Sequence, residues 1–342
     1  NALTTAQVQS LTSTQIAGLT ATQESGLSST QVAVLGTLTL SGLSSTQVAL
    51  LTTSQLDGLL SAQVNALTTT QLVGLSSDQL DSLSVIQVDG LHTAQLGALT
   101  TLQLLGLNST LIRSLETTQV RALSSTQVAA LTTAQLSGLN RSGMAALTMT
   151  QLAGLSSVGV GSLSTSQWTG LESFALSALT TTQMAGLTST QLASLTTTQV
   201  AGLSSTQIDS LATLQLSGLS SAQLASLTTQ QVAGLNSNLL ASLATSVLKG
   251  LNATQVNVLN TTQVAGLTTQ QVSALSAVQL SGVNTTQIVA LATSQATALT
   301  GVQISTLDTT QIAALSTTQV AALMETQVAA MTGVQLAALT TT

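Results

Sequence analysis

Leu195-Thr196-Thr197-Thr198-Gln199-Val200-Ala201-Gly202 is one copy of an eight-residue unit that fills the chain. With Thr196 as the N-cap of a helix, Gln199 falls at the third helical position, N3. The two then form a capping box: the hydroxyl accepts from the N3 amide, and the Gln side chain reaches back to the cap amide. Leu195 precedes the cap and Val200 takes the fourth helical position, the two places of a hydrophobic staple. Gly202 suits a left-handed residue that ends the helix. Three boundary rules agree on one register and predict a helix of about five or six residues.

Working outward, the chain divides from Leu3 to Ala338 into 42 octads without insertion or deletion. Position 1 is Leu in 40 of the 42, with Val283 and Met331 as exceptions. Position 2 is Ser, Thr, Asn or Asp in 33, the residue types an N-cap requires. Position 5 is Gln in 35. Position 6 is aliphatic or Met in 39; Glu24, Trp168 and Ala296 depart from it. Helices this short are unstable alone. They persist when neighbours bury positions 1 and 6, which is the logic of a solenoid.

A rival β-solenoid draws on the Thr and Val content. Its strands need alternation of period two, and the two apolar positions are an odd five residues apart. One continuous helix also fails, because eight residues overshoot two turns by roughly 80° and the Leu stripe would spiral around it. The fold expected is all-α, a solenoid of very short helices.

A second period lies inside the first. Position 8 is Gly in 16 of the 21 odd octads and in one of the 21 even octads, Gly18. Two unlike octads, 16 residues, are therefore expected to form each coil, with about 21 coils in residues 1–342. Leu195 should then stack on Leu179 and Leu211.

Charged residues make up 4% of the chain, where about 25% is usual. Ten acids and four bases give a net charge of −6, too little basic charge to bind nucleic-acid phosphates. Absence of Cys excludes disulfides and thiolate metal sites. No apolar run approaches the 18 or so residues of a membrane helix. The chain begins and ends inside a repeat, as a single continuous array cut from a longer chain would.

Few residues stand out as candidate sites. His92, the lone His, sits at a cap position without a metal-binding partner at ligand spacing. Asp78, Asp81 and Asp89 lack the spacing of a calcium loop. Arg113, Glu116 and Arg121 are expected to form a local surface charge pair. Asn108, Asn140, Asn252, Asn260 and Asn284 sit in glycosylation sequons, all at cap positions where Asn is expected anyway. From Leu139 to Ala178, Gly143, Gly159 and Ala175 replace Gln at intervals of 16, and a 16-residue coil would stack them in one column. Trp168 takes a core position there and Phe174 lies nearby. Small residues making room for the indole is one reading; a lateral contact surface at Trp168 and Phe174 is the other. No residue is assigned to catalysis, a cofactor or a metal.

The octad from Leu315 to Ala322, LSTTQVAA, resembles low-complexity repeats of very large bacterial surface and secreted proteins of the adhesin-like and exoprotein-like kind. The resemblance implies an extracellular structural or adhesive role and carries over no functional residue. Repetition gives length and stiffness, and sparse charge leaves little repulsion between copies. A filament, sheath or adhesin stalk that self-associates is the expected function. The first and last octads, Leu3–Ser10 and Met331–Ala338, keep the apolar consensus rather than a polar cap. Ice binding through ladders of Ser and Thr is the alternative.

Overall fold

The structure, a computed structural model, describes residues 3–339. Each octad forms one helix of four to seven residues, from α1 (Thr5–Gln9) to α42 (Gly333–Leu339), and there is no strand among the described residues. The fold is an all-helical solenoid of short helices, which excludes the β-solenoid.

The local cause is the capping box. In α25 (Thr197–Ala201) the cap Thr196 is extended, with φ −69° and ψ 159°. Its hydroxyl accepts from the Gln199 amide at 3.2 Å, and its own amide donates to Gln199 Oε1 at 2.8 Å. The helix stops where the Leu203 amide bonds the Val200 carbonyl at 3.2 Å, and a new octad begins.

The chain forms two compact units, Asn1–Leu171 and Glu172–Thr342. Within each, a helix packs on the third helix before it and the third after it. Thus α25 packs on α22 (Ser173–Leu176) and α28 (Ser221–Ala225). Equivalent residues stack three octads, 24 residues, apart. The expected coil of two octads is therefore wrong, as is the stacking of Leu195 on Leu179 and Leu211. The physical reason is enclosure. A coil of two helices is a bilayer with open sides, whereas three helices per turn bring position 1 and position 6 to a shared axis. Leu251, Val256, Leu259, Val264, Leu267 and Val272, from three consecutive octads, line one apolar cavity of about 30 Å³. The core is the predicted set, with Leu80, Val88 and Leu96 fully buried.

The Gly at position 8 is not left-handed. No glycine among the described residues has a positive φ, and Gly90 and Gly202 have φ of −67° and −80°. What demands Gly is close approach: a Cβ on Gly90 would lie 2.7 Å from the Ser61 carbonyl oxygen and 3.0 Å from Ser61 Cβ, three octads earlier.

Candidate functional site

The feature repeated through the molecule is the seam between turns, and Gln at position 5 builds it. Gln87 shows the pattern. Its Oε1 accepts from the Ser84 amide at 2.8 Å, closing its own helix. Its Nε2 donates to the Leu59 carbonyl at 2.7 Å and the Leu56 carbonyl at 2.6 Å, 28 and 31 residues earlier. The first is the position-1 residue three octads back; the second lies in the last turn of the helix before it. Gln95, Gln127, Gln263 and Gln311 repeat these contacts. One amide thus caps the N-terminus of its own helix and the C-terminus of another. Gln87 is 2% exposed, so the amide is dry and all its bonds are internal.

The sequence pattern placed Gln in the capping box and left its amide nitrogen without a role. A signal was present: position 5 is Gln in 35 octads and Glu in none. A carboxylate can close a capping box, but it has no N–H for two carbonyls. The cap side chain matters less than Gln. Where Leu60, Ala212 and Ala292 occupy the cap, their amides still donate to Gln63, Gln215 and Gln295.

The other candidates fall into place as helix ends. His92 is a cap, with Nδ1 accepting from the Gln95 amide at 3.3 Å. All five sequon Asn residues cap helices through their side chains. Asp81 accepts from the Asn108 side chain at 2.9 Å, and no group of three acidic or His residues could hold a metal ion among the described residues. Arg121 donates Nε to the Ala146 carbonyl on the next turn at 3.3 Å.

Gly143 and Gly159 do not share a column, because their helices α18 (Arg141–Ala146) and α20 (Ser157–Ser162) stack on α15 (Thr117–Ala122) and α17 (Thr133–Gly138). The nearest side-chain atoms to a Cβ on Gly143 belong to Leu139 and Asn140, and its helix α18 packs on α21 (Thr165–Trp168), which carries the indole. Trp168 is 1% exposed and belongs to the core, which removes it from any lateral surface; Phe174 is exposed.

Glu24, noted in the sequence only as a departure from the apolar position 6, is a carboxyl placed in the core. It is 1% exposed, and neither oxygen has a hydrogen-bond partner among the described residues. Burial pushes its pKa from 4.5 to about 7, since a charged carboxylate is disfavoured away from water.

A family model described as the ALTTAQ repeat matches residues 109–141. Ala130-Leu131-Thr132-Thr133-Ala134-Gln135 spells that motif within the match. The protein is therefore repeat-containing. No curated protein matches the chain. No helix among the described residues is long and apolar enough to cross a membrane.

Proposed function

We propose that the chain is an extracellular structural element, without enzymatic activity, that builds or extends a filament, sheath or adhesin stalk by self-association. The observation that carries this reading is the polarity of the seam. The inter-turn Gln bonds described run from a later octad to an earlier one, as at Gln87, Gln135 and Gln287. In this Gln ladder each turn offers carbonyls on one face and Gln amide donors on the other. A head-to-tail interface of that kind extends into an open filament wherever its rotation does not close into a ring. The same few contacts recur where a catalytic site would need a local singularity.

Ice binding has less support. It needs outward-facing hydroxyls, and the position-2 hydroxyls are engaged in caps, as at Thr52, Thr100 and Thr132. Electron microscopy of the purified chain across a concentration series tests the filament reading. Uniform filaments are expected. Monodisperse monomers at the highest concentration, with thermal hysteresis in freezing assays, would replace it with the ice-binding reading.

A further inference from the structure

We infer that the alternation of Gly with larger residues at position 8 is a register code, matched by an alternation at position 3, which selects a turn of three octads over turns of two or four. This inference does not depend on the filament reading. The code has two halves that meet in space. Gly at position 8 of an odd octad lies on the first helical residue, position 3, of the octad three earlier. Three is odd, so that residue belongs to an even octad. Position 3 is Ser in 13 of the 21 even octads and in none of the odd ones, where Thr stands in 16 of 21.

The partners covary within this single chain. Fourteen Gly seats lie inside one or other unit, from Gly42 on Ser13 to Gly282 on Ala253. Ser is the partner in twelve; Arg141 and Ala253 serve the other two, and Thr serves none. Four odd octads end in Ala instead: Ala122, Ala298, Ala314 and Ala330. The residues at the matching position, 29 earlier, are Thr93, Thr269, Thr285 and Gly301, and none is Ser. The Ala330 methyl lies 3.0 Å from a Cβ built on Gly301, so the seat has the same geometry with the small residue on the opposite side.

The two seat types differ in closeness. At Gly seats an added Cβ would collide with the partner residue, as it would at Gly170, 2.7 Å from the Arg141 carbonyl oxygen. Surface grooves of about 420, 460 and 380 Å³ are lined by Thr69 with Ala98, Thr261 with Ala290, and Thr117 with Ala146. These are Thr seats, where the position-8 residue carries a real Cβ that the packing accommodates. Because the turn holds an odd number of octads, tight and loose seats alternate up each column within a unit. A turn of two or four octads would set Gly octads over Thr and larger residues over Ser at every step. Positions 1 and 6 favour an enclosed turn, and the seats of position 8 on position 3 add a penalty against turns of two or four octads.

The test is a double-mutant cycle in the full chain, read by amide hydrogen exchange in octads 59–66 and 83–90. Ser61→Thr and Gly90→Ala each break a matched seat; together they recreate the Thr93–Ala122 type. Each single change should lower protection at least tenfold, and the pair should return to within threefold of the native chain. A second cycle, Thr93→Ser with Ala122→Gly, converts a loose seat to a tight one using only smaller side chains, so misfolding does not confound it. Again the pair should exceed either single change in protection. Additive losses in both cycles, or changes under twofold throughout, would overturn the code.

Discussion

Replacing Gln87 by Ala separates the seam from the capping box. The native amide is 2% exposed and engages three backbone groups. On truncation the Leu56 carbonyl keeps the Leu59 amide at 3.0 Å. The Leu59 carbonyl and the Ser84 amide lose the Gln partner. The Leu59 carbonyl is buried, and a buried polar group left unsatisfied costs about 1–3 kcal/mol; with the part-buried Ser84 amide, about 3 kcal/mol is expected for the pair. Ser84→Ala removes the hydroxyl cap alone and should cost about 1 kcal/mol. Repeat arrays open locally rather than all at once, so amide exchange is the suitable assay. Protection should fall about 100-fold in Gln87→Ala, both at Ser84 and at Leu59 in the earlier turn, since 1.4 kcal/mol is a factor of ten. Gln87→Glu isolates the amide nitrogen: it keeps an acceptor for Ser84 and sets an oxygen against two carbonyls. It should be as damaging as Ala at neutral pH. If Gln87→Ala costs no more than Ser84→Ala, or leaves Leu59 protected, the seam bonds add nothing and the reasoning fails.

Glu24 predicts a pH slope. Between 4.5 and about 7 the folded state holds a proton that the unfolded chain has released, so stability should fall as pH rises through that window and level off above it. Glu24→Gln should flatten the slope in denaturation at pH 4.5 and 8; an unchanged slope would place the titration elsewhere. Val283 is the one Val at position 1 and lines the apolar cavity; Val283→Leu should stabilise the second unit by about 1 kcal/mol, and a loss would mean the cavity cannot accept a methylene. Trp168→Ala should cost about 3–5 kcal/mol, whereas Phe174→Ala at an exposed position should stay within about 0.5 kcal/mol. Comparable losses in chemical denaturation would contradict their placement.

Local chemistry made the helices legible. Thr196, Gln199 and the Leu195–Val200 staple lie within six residues, so their geometry follows from the order of residues. The buried character of positions 1 and 6 follows too, because apolar side chains at that spacing need a shared interior. The Gln amide nitrogen was not legible, because Leu59 and Leu56 reach Gln87 only across a turn of the solenoid. The Gly pattern misled for the same reason. Its 16-residue period is real, but period in sequence and period in space coincide only when like stacks on like. Here a small residue must face a different neighbour, Gly90 over Ser61, and that complementarity requires an odd number of octads per turn. Contacts a few residues apart set each helix, its caps and its core face. Tertiary packing decided the 24-residue turn, the second role of Gln and the reason for Gly, because each depends on groups about 30 residues apart that only the closed turn brings together.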